Sequence, residues 1–414
     1  DAIPSKPPMF HWIGAVSSIL FDSLNEFTIR FPSAIAAIGA LAFFIFLLKD
    51  IFDLSSLTLF SFLLTFSFEW LRASSSARVD MVHAASLSIG LLSAFNALER
   101  SDKRYWILAT VSFVIAVLAK GPVAVMLPAM VLFCWIITNP NNRGRNFLFV
   151  LSSLLVTAAI SSLWYLAAYN QEPQEFFNTV WFENFERFGG SEVPHKHSVF
   201  YLFGMLIVGM LPWSIVVFWR TRKKLSKFPE YIKVTLSKTD IFRFSLLAAS
   251  LIFVFYSIPG SKRSVYLLPA YPFIIILVVP FFKEYLSTQV FRNTFILVTG
   301  SFVAMQAIVR PLMVTPLSSE RSLSNFVLTN STSLNKLYSF GFEFYGASFY
   351  SGRQFLRFED AFTNGHEPKI NDRILSFDSD ISKLEDFSRL HGKQLQLVDE
   401  TKLDKRTVKI LRVI

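Results

Sequence analysis

Residues 79–122, VDMVHAASLSIGLLSAFNALERSDKRYWILATVSFVIAVLAKGP, decide the fold of this chain. Two apolar runs, at 81–97 and 105–118, are separated by a short basic connection at 100–104. An α-helix needs roughly 20 predominantly apolar residues to cross about 30 Å of hydrocarbon. The stretch therefore predicts two consecutive membrane-spanning helices, with Asp80 and Lys120 at the same end of the pair.

The composition extends this prediction to most of the chain. Hydrophobic residues make up 52% of the 414 residues, Phe alone supplies 46, and charged residues are only 17%. These values are typical of an integral membrane protein rather than a soluble one. About ten spans are predicted, at 33–48, 54–71, 81–97, 105–118, 122–137, 147–165, 201–219, 241–258, 265–282 and 291–309.

The connections between these runs alternate in charge. Basic residues collect near Lys49 and at 100–104, 143–145, 220–243 and 283–292, and cytoplasmic loops carry such an excess. The other connections, including the long one at 166–200, are then predicted to face outward. The net charge of +10 indicates topology and attraction to anionic headgroups, so no nucleic-acid partner is expected.

The two ends of the chain differ from its apolar middle. Residues 1–32 are predicted to form an outward loop and an interfacial amphipathic helix at 17–27, and a further segment is expected to precede Asp1. Residues 33–312 form the predicted membrane domain. Residues 313–414 are more polar and predict a small extramembrane α/β domain on the outer, periplasmic face. Its predicted strands include 326–328, 337–340, 396–398 and 408–413, and its predicted helix is 381–391.

A set of cations lies in the connections that are predicted to open outward. Charges beside hydrocarbon are costly, so a convergent set of them indicates a functional site. The ligand that such a set would bind from within a membrane is a lipid-linked phosphate. The set consists of Lys6, Arg78, Lys120, Arg187, Lys196, Lys262 and Arg263.

Local sequence predicts how three of these cations are held. Pro7 and Pro8 fix an extended segment after Lys6. Gly121 and Pro122 predict that Lys120 lies at a helix N-terminus, where anions are favoured.

The third cation, Lys262, lies in the stretch 257–269, which also contains serines, Arg263 and Tyr266. Together these supply several donors for phosphate oxygens. An alternative for this stretch is a helix cap followed by an interfacial tyrosine.

Two further motifs admit more than one interpretation. Asp80 is predicted either to bind sugar hydroxyls or take part in proton transfer, or to cap a helix that begins at Met81, and the functional and capping roles are compatible. His195 and His197 in the long outward loop are weak candidates for zinc ligands, because no fixed carboxylate is evident beside them. The single cysteine, Cys134, lies in an apolar run and excludes an intramolecular disulfide.

These motifs, taken in order along residues 1–310, resemble those of the aminoarabinose-transferase-like glycosyltransferases, which are related to the protein O-mannosyltransferases. The matching motifs are Lys6-Pro7-Pro8 with Trp12, Arg30-Phe31-Pro32-Ser33, Arg78 with Asp80, Lys120-Gly121-Pro122, Phe182-Glu183-Asn184 with Arg187, Leu211-Pro212-Trp213, and Ser261-Lys262 with Tyr266 and Pro269.

The resemblance implies a GT-C type membrane enzyme that moves a sugar from an undecaprenyl-phosphate carrier to an acceptor on the outer face, lipid A in the best-known members. It implies that Lys6, Lys120, Arg187, Lys262 and Tyr266 hold the carrier phosphate. Arg78, Glu183, His195 and His197 are then possible acceptor or loop contacts. The principal catalytic acid is expected upstream of Lys6, which leaves Asp80 as a candidate secondary acid. Cations fixed at the carrier phosphate stabilise its growing charge, so no metal is required. Relatives often carry an acidic residue, in some a metal ligand, where this chain has Ser5, which makes zinc the weaker alternative.

Two other functions remain open on the sequence alone. A transferase that acts on protein or on another glycan would share the phosphate-binding residues and differ in its acceptor contacts. A transporter or flippase of lipid-linked sugars would place charges near the middle of the membrane. The collection of cations at one face favours the enzyme.

Overall fold

The computed structural model describes residues 6–139, 143–182, 197–221, 234–237, 239–283, 289–304, 319–362, 365–403 and 406–414. Contacts between residues divide the chain into two units, 1–299 and 300–414. The boundary predicted at 312/313 lies outside the described residues.

The first unit is helical throughout its described part, as expected for an α-helical polytopic membrane protein. Its helices are α1 (Met9–Leu20), α2 (Glu26–Leu48), α3 (Leu54–Thr65), α4 (Phe68–Ser74), α5 (Val79–Arg100), α6 (Lys103–Lys120), α7 (Val123–Thr138), α8 (Arg143–Tyr169), α9 (Pro173–Trp181), α10 (Tyr201–Gly209), α11 (Trp213–Thr221), α12 (Asp240–Ser257), a 3-10 helix (Ser264–Ala270), α13 (Tyr271–Lys283) and α14 (Gln289–Ala304), the last of which ends in the second unit.

The observed helices lie close to the positions of the predicted spans, but some predicted spans are divided into two helices. Among the described residues, five helices are long and apolar enough to cross a membrane, or up to seven if each of two bent pairs forms one span. The predicted span 54–71 is divided into α3 and α4 with a bend of 70°, and 201–219 is divided into α10 and α11 with a bend of 97°. The prediction of one continuous helix was therefore wrong for each of these two spans. The second bend coincides with Pro212, which cannot continue a helix.

The start of the chain also differs from its prediction. The helix predicted at 17–27 is interrupted, since α1 ends at Leu20 and α2 begins at Glu26. The side chain of Asn25 caps α2 by accepting hydrogen bonds from the amides of Phe27 and Thr28. This cap fixes the beginning of α2 ahead of the predicted start at residue 33.

Helix α5 is the centre of the first unit. Of its most apolar 18-residue window, 94% is buried within the protein. Its sequence is rich in Ala, Ser and Gly, and such small residues allow neighbouring helices to approach closely in a membrane. At Gly90, an added Cβ would lie 2.4 Å from a ring carbon of Phe113 on α6. The pairing of α5 with α6 therefore depends on the absence of a side chain at this position.

The two bent helix pairs contact each other at their breaks. The indole of Trp213 donates to the carbonyl of Leu63 at 2.7 Å, and the amide of Phe68 donates to the carbonyl of Leu211 at 3.0 Å. Each bond satisfies a backbone group that the interrupted helix leaves without its usual partner. Non-helical backbone is tolerated at this depth because it is buried in protein.

The second unit contains a five-stranded sheet with strand order β2-β1-β3-β5-β4. Strand β1 is parallel to β2 and β3, whereas β5 is antiparallel to β3 and β4. The elements are α15 (Ser319–Asn330), β1 (Leu337–Phe340), α16 (Tyr345–Ser351), β2 (Phe355–Arg357), β3 (Arg373–Phe377), a 3-10 turn (Asp378–Asp380), α17 (Ile381–Leu390), β4 (Leu395–Leu403) and β5 (Arg406–Val413).

Both faces of this sheet carry a hydrophobic core. Ile374 and Leu411 pack on one face with Phe358 and Leu384, and their neighbours Leu375 and Ile410 pack on the other face with Leu323. This alternation is the two-residue period of a strand that is covered on both sides. The α/β prediction is confirmed at 337–340, 381–391, 396–398 and 408–413. The strand predicted at 326–328 is wrong, because these residues lie within α15 and Val327 packs from it against the sheet.

Candidate functional site

Asp80 and Lys120 form an ion pair inside the first unit. The ammonium Nζ of Lys120 donates to Oδ1 of Asp80 at 2.8 Å, and the side chains are only 12% and 10% exposed. A charge removed from water is retained in a fold only when it has such a partner. The two residues that the sequence places at the same end of one helix pair are therefore brought into direct contact.

The ends of α5 and α6 place the two side chains. Asp80 lies in the first turn of α5, and Arg78 rather than Asp80 is the residue before that helix. Lys120 is the last residue of α6, followed by Gly121 with φ of 124°. The predictions that Asp80 caps a helix beginning at Met81 and that Lys120 lies at a helix N-terminus were therefore wrong. Each charge instead lies where it complements the dipole of its own helix.

Two tyrosine rings surround the ammonium group of Lys120. Its Nζ lies 4.4 Å from the ring centre of Tyr266 and 5.8 Å from that of Tyr256. The two rings are 5.2 Å apart. A cation over an aromatic face is stabilised electrostatically, most strongly where water is excluded. The structure thus brings Tyr266 to Lys120, as the resemblance implies.

Helix α1 is docked beside this pair. Phe10 packs against Val82 on α5 and Ala119 on α6, the neighbours of Asp80 and Lys120. Lys6 precedes Phe10 by only four residues, which limits the backbone distance between them to about 14 Å. The N-terminal lysine motif is therefore held on the same side of the unit as the ion pair.

His83 is a site residue that the motifs did not indicate. It is 1% exposed, one helical turn after Asp80, and its Nδ1 lies 3.1 Å from the carbonyl oxygen of Ala116. Because a carbonyl only accepts, Nδ1 carries the proton and Nε2 is left as an acceptor. Ala116 lies one turn before Lys120, so this bond fixes the register that brings Asp80 to Lys120. His83 follows Asp80 by three residues, so the two lie on one face of the helix, and this spacing could have indicated His83 from the sequence.

Glu69 and Arg72 form a second charged pair near the first. Arg72 donates through Nε at 2.9 Å and through Nη2 at 2.5 Å to the two carboxylate oxygens of Glu69, whose side chain is 2% exposed. Arg72 also donates to the hydroxyl of Ser264 at 3.3 Å and interacts electrostatically with Asp80. Sequence analysis missed this pair, although two opposite charges three residues apart within an apolar run are a recognisable signal.

Lys262 has different partners from those expected. Its side chain is buried, and Nζ donates to the carbonyl oxygens of Pro259 at 2.5 Å and His197 at 3.1 Å. The ammonium group therefore holds the turn after α12 against residue 197. The described geometry does not place it beside Lys120.

The remaining predicted residues are distributed as follows. Arg78 is exposed, its carbonyl accepts from the hydroxyl of Ser33 at 3.2 Å, and it interacts electrostatically with Asp80. The ring of His197 stacks on Tyr201 at 3.9 Å. Glu183, Arg187, His195 and Lys196 lie outside the described residues.

Metal binding was tested on the donor sets in the described part of the chain. There, no group of three His, Cys, Asp or Glu side chains is placed to hold a metal ion. The described His197 is stacked on an aromatic ring rather than paired with a carboxylate. The described donor groups therefore do not support a zinc site.

The sequence resembles proteins of known families over part of its length. Residues 5–165 match the family described as dolichyl-phosphate-mannose-protein mannosyltransferase. An undecaprenyl phosphate-alpha-4-amino-4-deoxy-L-arabinose arabinosyl transferase of Shewanella sediminis is 28% identical over 275 residues, which are 64% of this chain and 47% of that protein. A second transferase of this name, from Proteus mirabilis, is 25% identical with the same coverage. The chain thus spans about half the length of the curated relatives it matches.

The fold resembles a solved structure over nearly the whole chain. The crystal structure of ArnT from Cupriavidus metallidurans bound to undecaprenyl phosphate matches with a TM-score of 0.73 and 17% identity, covering 98% of this chain and 88% of that one. The GT-C type fold predicted from the sequence is confirmed. The predicted relationship to the aminoarabinose-transferase-like proteins is confirmed as well.

Proposed function

We propose that this multi-pass membrane protein, a relative of the polyprenyl-phosphate-dependent glycosyltransferases, moves a sugar from a polyprenyl-phosphate carrier to an acceptor at the periplasmic face of the inner membrane. Lipid A or a related glycolipid is the proposed acceptor. The observation that carries the proposal is the cluster of Asp80 and Lys120, at the ends of α5 and α6, with Tyr266 of the 3-10 helix Ser264–Ala270. The names of the relatives support the same chemistry.

Lys120 is suited to bind the carrier phosphate. Its ammonium group has three N–H donors, and the contact with Oδ1 of Asp80 accounts for one of them. Asp80 and the two tyrosine rings hold the group in place, so little reorganisation is needed when a phosphate oxygen arrives. Lys6 and Arg187 are proposed to complete the phosphate site.

The cluster is proposed to act mainly on the transition state. The acceptor oxygen attacks the anomeric carbon, the bond from that carbon to the phosphate oxygen breaks, and the electron pair leaves with the phosphate. The proton that a hydroxyl acceptor loses is taken up by the departing phosphate. Negative charge grows on the phosphate during this step. A cation that is already fixed stabilises this growing charge more than it stabilises the ground state.

Asp80 is proposed as a secondary acid rather than the principal one. The Lys120 ammonium occupies one oxygen of the Asp80 carboxylate, and the remaining lone pairs can accept a hydrogen bond from a hydroxyl of the sugar or of the acceptor. A carboxylate that is buried beside the reacting group can orient that hydroxyl.

A protein acceptor is the second candidate within the same chemistry. Residues 5–165 match the protein mannosyltransferase family, and this match supports a protein acceptor. It supports other carrier-dependent transferases equally. The carrier phosphate site would be shared, and only the acceptor contacts would differ. The third candidate, a flippase of lipid-linked sugars, predicts carrier binding without sugar transfer.

The test is carrier binding and sugar transfer by the full chain with Lys120→Met, which keeps the length of the side chain and removes its charge. We expect carrier affinity, measured with undecaprenyl phosphate in detergent, to fall by about tenfold or more, which is the loss of a charge-assisted hydrogen bond of roughly 1.5–3 kcal/mol. Lys49→Met removes an exposed cation elsewhere and is the matched control. Mass spectrometry of lipid A and of surface glycans then identifies the acceptor. Equal binding by wild type and Lys120→Met would disprove the proposal.

A further inference from the structure

A recess lies at the opposite end of α5 and α6 from the Asp80–Lys120 pair. It has a volume of about 290 Å³, near the lower end of the range for small-ligand sites. Helix α6 runs from Lys103 to Lys120, so its 18 residues separate the two places by about 27 Å. This distance is close to the thickness of the hydrocarbon core. The recess is lined by Ala97, Ser101, Lys103, Trp106, Asn146 and Phe149.

The recess is lined by both apolar and polar side chains. The rings of Trp106 and Phe149 stack at 6.0 Å with an angle of 17° between their planes, and Trp106 is only 8% exposed. Lys103, Ser101 and Asn146 supply an ammonium, a hydroxyl and an amide group. Ser101 has φ of 55° and ends α5, so the turn brings its side chain and Lys103 to the same mouth. Such a surface suits an amphiphile with a polar head.

Among the described side chains around the recess, Lys103 is a cation without a carboxylate partner. Arg100 pairs with Asp50 at 2.5 Å, and Arg104 pairs with Asp102 at 2.9 Å. Lys103 makes no ion pair within the part of the chain that the structure describes. The mouth therefore has a positive charge that an anionic group can neutralise.

We propose that this recess binds the headgroup phosphate of one anionic phospholipid, with the glycerol and upper acyl carbons against Trp106 and Phe149. Lys103 would pair with the phosphate, and the side chains of Ser101 and Asn146 would donate to its oxygens. A free phosphate shares the charge but has no part that would contact the aromatic wall. The site lies at the other membrane boundary from Lys120 and does not depend on the proposed transfer reaction.

The experiment is native mass spectrometry of the full chain, released from detergent after incubation with phosphatidylglycerol, phosphatidylcholine or inorganic phosphate. We expect one phosphatidylglycerol molecule to be retained preferentially. Lys103→Gln should reduce its retention by about fivefold, as expected for one basic residue near an anionic surface. Lys49→Gln, which removes an exposed cation beyond the recess, should leave retention unchanged.

A second variant tests the recess without altering charge. Asn146→Leu removes the amide and fills part of the space, and we expect it to reduce retention by about threefold, the loss of one neutral hydrogen bond. Because Asn146→Leu keeps every cation, it still tests lipid binding in the recess if Lys103→Gln fails to fold.

Three results would overturn the proposal. Equal retention of phosphatidylcholine would remove the need for an anion. Displacement of the lipid by inorganic phosphate would identify a free-phosphate site instead. An equal loss in Lys49→Gln would indicate diffuse attraction to the surface rather than a site.

Discussion

At the scale of single residues, the buried pair of Asp80 and Lys120 connects the stability of the protein to its proposed chemistry. The side chains are about nine-tenths buried, and each is the closest compensating charge of the other. Removing one partner of a buried pair leaves the other charge without compensation, at a cost of about 3–5 kcal/mol, whereas replacing both is often nearly neutral. The pair therefore adds little stability over two neutral residues, and binding of the carrier phosphate is its proposed role.

A double-mutant cycle tests this connection. We expect Lys120→Met and Asp80→Asn each to lower the free energy of unfolding by about 3–5 kcal/mol, and the double variant to recover most of that loss. The double variant should still bind undecaprenyl phosphate about tenfold or more weakly than wild type. Unfolding in mixed detergent micelles measures the stabilities, and strictly additive losses would contradict the proposed coupling between the two residues.

How far the sequence predicts the site depends on the kind of residue. Asp80, Lys120 and Tyr266 were predicted because charges and a phenol beside apolar runs are conspicuous, and the structure brings these three together. His83 was missed because a histidine within a helix is more often an ordinary packing residue, and its bond to Ala116 comes from another helix. Lys262 was expected at the phosphate, but the sequence cannot reveal that backbone carbonyls surround its ammonium group.

At the scale of elements, the bent helix pairs depend on close approach at one glycine. A Cβ added at Gly209 would lie 1.9 Å from the hydroxyl oxygen of Tyr271 and 3.0 Å from Cβ of Glu69. The end of α10 is therefore fitted against α13 and α4 without space for a methyl group. The sequence predicted the apolar run around Gly209 but gave no sign of this contact, because it joins residues more than sixty positions apart.

Gly209→Ala tests this fit. We expect it to lower the free energy of unfolding by about 1–3 kcal/mol, the usual cost of overpacking, and Tyr271→Phe in the same chain to recover part of the loss. Gly39→Ala, which would place its methyl group in open space, is the control and should be neutral. Thermal unfolding in detergent measures all three variants, and equal losses in Gly209→Ala and Gly39→Ala would refute the steric explanation.

An ion pair between elements gives a pH-dependent prediction. Lys283 at the end of α13 donates to Asp53 before α3 at 2.8 Å, and this hydrogen bond, with those from Ser56 and Ser55, lowers the pKa of Asp53 below its ordinary value of 3.8. A carboxylate with a depressed pKa in the folded state stabilises the fold above its unfolded pKa, and that stabilisation is lost as the pH falls through the folded pKa.

The difference in melting temperature between wild type and Asp53→Asn should therefore be constant from about pH 8 to about pH 6 and shrink below about pH 4. Thermal unfolding across this range measures it. A difference that disappears between about pH 8 and about pH 6 would exclude Asp53 as its source.

At the scale of the whole molecule, the amount of apolar sequence determined the fold class, but it did not determine where helices break. The break between α3 and α4 occurs at Ser67, a residue that is common within membrane helices, so the apolar run 54–71 gave no warning. Pro212 gave a clearer signal for the other break. In the second unit, alternation identified β1, β4 and β5, whereas β2 and the central β3 were not among the predicted strands. Helix α15 was mistaken in part for a strand because Phe326, Val327 and Leu328 are consecutive apolar residues.

The central claim is that Lys120, held by Asp80 and Tyr266, binds a lipid-linked phosphate. The most direct measurement is an experimental structure of the chain in lipid nanodiscs with undecaprenyl phosphate added. We expect a phosphate oxygen to lie within hydrogen-bond distance of Nζ of Lys120, about 2.7–3.2 Å, with the polyprenyl chain leaving toward the hydrocarbon. A carrier phosphate bound elsewhere, with Lys120 still in contact with Asp80 alone, would contradict it.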